Sequence, residues 1–295
     1  MSFILTLVAS EKPLTAGHLA LVTDNLATLS IGTAGDAAWL ERHKAADIPL
    51  VQKPAHDQIR TLRILLESDK IDVFVLPAAG RQKKLLLADM DATIVVGETL
   101  DELAGQAGPE IQDKITAITA RAMRGELDFD AALRERVAML KDLPEETLGK
   151  TRAGMVFSPG AKKLSAAMRK HGATCVLVSG GFDFFTGWIA QQAGFHHHHA
   201  NRFDIVNGKL TGKVLDPILD KQAKLAFLKQ YAQELKIDLK ETMAIGDGSN
   251  DLPMLQAAGL GIGYHPKPLL RDTLDNCILH GDLTAALYAQ GLKPG

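Results

Sequence analysis

The chain has little that would attach it to a large polyanion or to lipid. Lysine and arginine number 33 against 35 aspartates and glutamates, a formal charge of −2, so no general attraction for nucleic acid or an anionic surface is expected. Aromatics are only 5% of residues and no basic run is interleaved with them, which removes the usual nucleic-acid signature. No uninterrupted apolar stretch in the chain approaches the roughly 18 residues of a membrane span. MSFILTLVASEKP begins with a short apolar run and no basic leader, so a cytoplasmic protein is expected. Cysteine is nearly absent. Cys175 and Cys277 both lie in apolar stretches, which speaks against a disulfide scaffold and for buried thiols in a reducing compartment. Any anionic ligand must therefore be held locally, by a few residues.

At 295 residues the chain exceeds a comfortable single core, and two domains are expected. Residues 1–80 read as an α+β unit: a strand at ILTLVA, a helix through Leu14, Leu19, Val22, Leu26 and Leu29, a helix around Ile59, Leu62, Leu65 and Leu66, then the strand VFVLP. PAAGRQKK, residues 77–84, combines proline, glycine and clustered bases and marks the boundary. Across residues 81–295 the strand signals LLLAD, TCVLVSG, TMAIGD, LGIGY and CILH alternate with helical patterns, which predicts an α/β fold with a doubly wound, Rossmann-like parallel sheet. Two segments break the rhythm. Residues 98–150 are helical in pattern and predict an inserted helical cap over about 98–155, and RFDIVNGKLTGKV predicts a hairpin turning at Asn207-Gly208. The run His196 to His199 is expected in a solvated loop.

Within LLLADMDATIVVGE an apolar run ends in two aspartates, Asp89 and Asp91. Residues two apart in an extended chain share a side, which would aim both carboxylates into one site beyond a strand end, where open parallel sheets bind ligands. Two such charges about 4 Å apart repel by about 4 kcal/mol at an effective dielectric of 20, so a cation or a proton is required. A hard ion such as Mg²⁺ suits oxygen donors, although a capped helix start with a surface ion pair accounts for the pair alone equally well. In VLVSGGF, Ser179, Gly180 and the following amides form a strand-to-helix turn able to hold a phosphate. AIGDGSNDLPML ends another strand in Asp247, Asn250 and Asp251. It is no EF-hand, because the twelfth position is Ala258 rather than glutamate. Lys224 lies on the helix before that strand. Acids at strand ends, a Ser-Gly-Gly turn and a lysine are the parts of metal-assisted phosphoryl transfer.

These residues resemble the haloacid dehalogenase superfamily: DxDx[TV] stands as Asp89 to Thr93, the second motif as Ser179, the third as Lys224, and GDGxND as residues 246–251. Within it, GETLDELA, LDFDAALRERVAMLKDLP and GDGSNDLPML are similar to the phosphoserine phosphatases, and the first 80 residues resemble their ACT-like regulatory domain. The resemblance implies hydrolysis of O-phospho-L-serine, with Asp89 as nucleophile and Asp91 as the acid and then the base. It further implies Mg²⁺ held by Asp89, Asp247 and the main-chain carbonyl of Asp91, phosphoryl oxygens neutralised by Ser179, the Gly180 amide and Lys224, and support from Asn250 and, behind, Asp251. A phosphorylated amino acid also carries an ammonium and a carboxylate, for which the cap offers Glu98 and Arg136. On the helix Phe129 to Leu140, Arg136 lies about 60° from the centre of the apolar stripe and Arg134 near 100°, so Arg136 faces inward. A snorkelling arginine paired with Glu135 or Asp130 is the alternative. Ala92 and Thr99-Leu100 depart mildly from the pattern and leave open a phosphatase of another small phosphomonoester. A silent amino-acid sensor is the third reading. Expected partners are thus a small phosphorylated amino acid, no nucleic acid and no membrane, with a homodimer as the one assembly left open.

Overall fold

The computed structural model describes residues 2–123 and 126–295. The N-terminal unit runs β1 (Phe3–Ala9), α1 (Ala16–Thr28), β2 (Ala38–Glu41), β3 (Ala45–Leu50), α2 (His56–Leu66) and β4 (Ile71–Pro77), its strands forming an antiparallel sheet of order β2-β3-β1-β4. Because side chains alternate along a strand, Leu5, Leu7, Ile48, Leu50, Val73 and Val75 meet Leu19, Val22 and Leu26 of α1 and Ile59, Leu62 and Leu66 of α2. Val8, Phe74 and Leu76, on the reverse face, join the core of the second unit instead. Two strands of this sheet carry no clear signal in the sequence. β3 contains Pro49, which argues against a strand with two neighbours; it is tolerated because β2 pairs only with Ala45 to Asp47.

The second unit continues with β5 (Leu85–Ala88), the helices α3 (Thr99–Ala107), α4 (Pro109–Met123), α5 (Phe129–Ala138), α6 (Glu146–Gly154) and α7 (Ala161–Lys170), β6 (Thr174–Phe182), α8 (Asp183–Ala193), β7 (His197–Val206) and β8 (Lys209–Leu215). It ends with α9 (Lys221–Glu234), β9 (Thr242–Gly246), α10 (Leu252–Ala257), β10 (Leu260–Tyr264), α11 (Pro268–Thr273), β11 (Cys277–Ile278) and α12 (Ala285–Ala289). The sheet order is β11-β10-β9-β5-β6-β7-β8, parallel except at the β7–β8 hairpin. Leu85 and Leu87 pack with α9, α10 and α11, whereas Leu86 and Ala88 pack with α7, α8 and α12, so helices cover both faces. The chain winds from β5 outward through β6 and β7, then returns to β9 on the other side of β5. That reversal leaves a crevice at the carboxyl ends of β5 and β9.

Helices α3 to α6 form the inserted cap. The hairpin turns at Asn207 and Gly208, both with positive φ (52° and 71°), the two-residue geometry that suits a right-handed twist. It is part of the same body as the cap: Asp142 and Glu145 donate to the Leu210 and Gly208 carbonyls, and the Leu210 amide donates to Leu143. The histidine run corrects an expectation. His197 to His199 lie on β7 rather than in a loop, and alternation sends His199 onto Tyr231 Oη (2.8 Å) and His198 onto Thr186 Oγ1 (3.0 Å).

The basic segment between the units is a latch. Arg81 reaches Asp47 at 2.5 and 2.8 Å and donates through Nε to the Ala289 carbonyl, while Lys83 Nζ donates to the Gly80 and Lys240 carbonyls. Asp72 of β4 is buried and accepts from the amides of Leu279, His280 and Gly281. The N-terminal sheet is thus bonded directly to the segment after β11. Among the described residues no helix is long and apolar enough to cross a membrane.

Candidate active site

Asp89 follows β5 in extended conformation and donates its amide to the Ile245 carbonyl of β9 (3.0 Å), which ties the strand end to its neighbour at the crevice. Beyond it the chain turns tightly at Met90 to Ile94, with Ala92 at φ 51° and its amide on the Gly97 carbonyl. Asp247 and Asp251 come from the loop after β9. Lys224, in the first turn of α9, shares a helix face with Leu228 and Tyr231 and is 1% exposed. Its Nζ lies 2.7 Å from Asp89 Oδ1 and 2.6 Å from Asp251 Oδ1, and Asp251 Oδ2 accepts from the Gly248 amide. Burial, then the charge of Asp251, lifts the Asp89 carboxyl well above the ordinary carboxylate range, with Asp247 and Asp91 adding to it and Lys224 opposing. Burial favours a neutral Lys224 amine, but Asp251 and Asp89 outweigh it and keep the lysine charged.

Asp91 faces a different set of groups. Its Oδ1 accepts from the Thr99 amide (2.9 Å) and its Oδ2 from Ser179 Oγ (3.0 Å), and Ser179 Oγ in turn accepts from the Gly181 amide (2.8 Å). The Ser-Gly-Gly segment is not the strand-to-helix turn expected. β6 continues to Phe182, and since Val178 faces His199 while Phe182 faces Asn201, four residues of β6 span two of β7. The excess bulges toward the crevice, which frees backbone N–H groups that a regular ladder would consume. Glycine at 181 leaves the Asp91 and Ser179 side chains undisturbed, because a Cβ there would lie 2.9 Å from Asp91 Oδ2 and 3.0 Å from Ser179 Oγ and displace them. At Gly180 a Cβ would meet the Phe129 ring of the cap at 2.9 Å.

From the cap come Glu98 and Arg136. Arg136 is half-buried and donates through Nε to the Ala132 carbonyl (3.2 Å), and the charges of Asp101, Glu98 and Asp91 act on it. Arg134 is outside and pairs with Asp130 and Asp216, while Glu135 pairs with Arg121. Burial and then the Asp91 charge push the Glu98 carboxyl up to about 7. Lys267 was not anticipated: its Nζ lies 3.0 Å from Asp247 Oδ2 and 3.6 Å from Glu98 Oε1. The available signal was a lone lysine between prolines just past β10, in YHPKPLL. Asn250 folds back on its own loop, where a Cβ at Gly248 would lie 2.5 Å from its Oδ1.

Asp89, Asp247 and Asp251 each bring a carboxylate oxygen within 4.8 Å of the others, and all three residues are buried. Burial and Asp251 also raise the Asp247 carboxyl, against Lys267. A buried set of oxygen donors in which neighbouring charge already disfavours ionisation fits a hard divalent cation. Asp251, expected behind the site, brings a carboxylate oxygen into this cluster, while the Asp91 side chain, of which only the main-chain carbonyl was expected at the metal, is taken up by Ser179 and Thr99.

Residues 86–256 match the family described as haloacid dehalogenase-like hydrolase. The chain is 33% identical over 296 residues to a phosphoserine phosphatase of Mycobacterium tuberculosis, covering 98% of this chain and 72% of that one. It is 44% identical over 189 residues to a phosphoserine phosphatase of Streptococcus thermophilus, covering 64% and 87%. Among solved structures, a haloacid dehalogenase family hydrolase from Salmonella enterica serovar Typhi superposes with a TM-score of 0.85 at 27% identity over 98% of both chains. A phospho-aspartyl intermediate analogue of a phosphoserine phosphatase superposes with a TM-score of 0.66 at 39% identity, covering 70% of this chain and 98% of that one.

Proposed function

We propose that this chain, which belongs to the haloacid dehalogenase-like hydrolases, is a phosphoserine phosphatase that hydrolyses O-phospho-L-serine to L-serine and phosphate. Asp89 attacks phosphorus in line, and the aspartyl-phosphate bond forms as the bond to the serine oxygen breaks. Asp91, held by Ser179 and the Thr99 amide, delivers its proton to the departing oxygen. It then takes a proton from water, whose oxygen attacks the same phosphorus and frees the Asp89 carboxylate together with phosphate. Lys224, Ser179 and the Gly180 amide neutralise the phosphoryl oxygens, and Asn250 steadies them. Asp89, Asp247 and the Asp91 carbonyl, with Asp251 beside them, would hold Mg²⁺, which would supply further neutralisation of that charge.

Substrate choice rests on the cap. Glu98, joined through Lys267 to Asp247 of the crevice (3.6 and 3.0 Å), and the half-buried Arg136 of α5 supply one acid and one base, the complement of an ammonium and a carboxylate. This is the observation that carries the reading. The N-terminal unit, with its β-α-β-β-α-β order, is read as an ACT-like module, and the two unpaired, buried thiols suit the cytoplasm.

The test is steady-state phosphate release from phosphoserine, phosphothreonine and an aryl phosphate with Mg²⁺, run beside Asp89→Asn and a chelated control. Phosphoserine should lead, with near-complete loss on chelation and in the variant. Equal rates on all three substrates would overturn the assignment of Glu98 and Arg136.

A further inference from the structure

The two units meet along α2 and α11, and there the packing leaves a cleft of about 430 Å³. Three of the side chains around it are cations, Arg60, Arg63 and Arg271. Arg271 is already matched, 3.5 Å from Glu67. Arg63 is not. It is only 6% exposed, its Nη1 donates to the Leu274 carbonyl (3.0 Å), and its Nε and Nη2 have no hydrogen-bond partner.

An arginine buried with two donors unmade is costly, because those N–H groups have lost water and gained nothing. Nε and Nη2 form one edge of the guanidinium, the edge that grips both oxygens of a carboxylate or two oxygens of a phosphate in parallel. The surroundings suit such a group. Arg60, Arg63 and Arg271 outnumber the two acids of the lining, Glu67 and Asp272, and Pro268 and Leu279 add apolar surface that lowers the local dielectric. Arg271, its side chain 53% exposed, lines the same cleft.

We propose that this cleft is a second ligand site, separate from the aspartate crevice, which binds a small oxyanion, carboxylate or phosphate, on the Nε–Nη2 edge of Arg63. Such an occupant bridges the N-terminal unit to α11, whose preceding residue, Lys267, contacts Asp247 and Glu98. The site is argued from the interface alone and stands independently of the substrate assigned above.

The test is calorimetric titration of the full-length protein with acetate and with inorganic phosphate, comparing wild type, Arg63→Met and the double variant Arg60→Ala/Arg271→Ala. Wild type should show a saturable event with at least one of the two anions that is lost in Arg63→Met and weakened roughly tenfold in the double variant. Phosphoserine KM should stay unchanged in the double variant, since neither residue touches the crevice. The anion that responds identifies the source. If Arg63→Met fails to fold, the exposed double variant decides. Titrations identical in wild type and the double variant, or no saturable event with either anion in wild type, would overturn the site.

Discussion

Replacing Lys224 by methionine keeps most of the stem and removes one charge from the floor of the crevice. Its Nζ lies 2.7 Å from Asp89 and 2.6 Å from Asp251, each contact a gross attraction of about 6 kcal/mol at an effective dielectric of 20. Desolvation of the three groups cancels much of that, and removal of one partner from a buried ionic set leaves a net loss of about 3–5 kcal/mol. Two consequences separate. In the folded protein, Asp89 loses the main neighbour that opposes its protonation, so the nucleophile is neutral more of the time and the phosphoryl charge loses its buried lysine. Turnover should fall by about a hundred- to a thousandfold on that account. Phosphate release at saturating phosphoserine and Mg²⁺ measures the first effect, and urea unfolding measures the second. Turnover within roughly tenfold of wild type in a folded Lys224→Met protein would refute the role given to this charge.

Gly181→Ala should spare the fold and damage the chemistry, because the new Cβ would sit 2.9 Å from Asp91 Oδ2; kcat should drop at least about tenfold with the melting temperature nearly unchanged. Glu98, raised to about 7 by burial and by Asp91, is ionised above that pH and protonated below it, so kcat/KM for phosphoserine should decline as pH falls through 7. Glu98→Gln should abolish that limb, and an aryl phosphate without an ammonium should not show it in the wild type; a limb that persists unchanged in the variant rules Glu98 out as its source. Asp72→Ala should cost about 3 kcal/mol or more in urea unfolding, since the amides of Leu279, His280 and Gly281 lose their acceptor together. Asp72→Asn should fall between, its Oδ1 still accepting from Leu279 and His280; a loss under about 1 kcal/mol in the alanine variant would mean that water replaces the carboxylate.

The crevice was legible because its parts follow apolar runs, where a polar residue has few structural uses. Asp89, Ser179 and Asp247 each close such a run. Lys224 was legible only through the company of the other motifs, since one lysine on a helix is ordinarily solvated; in the structure it shares the buried face of α9 with Leu228 and Tyr231. What was hidden depended on pairing rather than on pattern. β3 is held by hydrogen bonds to β1 although Pro49 interrupts its signal, and the bulge after Val178 shows only in the register against β7. Lys267 belongs to the crevice solely because β10 lies beside β9 in the sheet; nothing adjacent to it in the chain says so.

The bases of PAAGRQKK, which lie between β4 and β5, do more than mark a boundary. A linker that only joins domains leaves its charges in water, but Arg81 is spent on Asp47, Thr6 and two carbonyls of the last helix region, and Lys83 on two carbonyls within the fold. With Asp72 gripping three amides after β11 and Val75 bonded to Asn276, the N-terminal sheet is fastened to the stretch of chain that immediately follows Lys267 and α11. The aspartates after β5 are reached from the N-terminal unit through hydrogen-bonded backbone at β11, β10 and β9 in turn, a route in which each step is a parallel strand pair and Lys267 is the only side chain from it that touches both Asp247 and the cap, among the described residues.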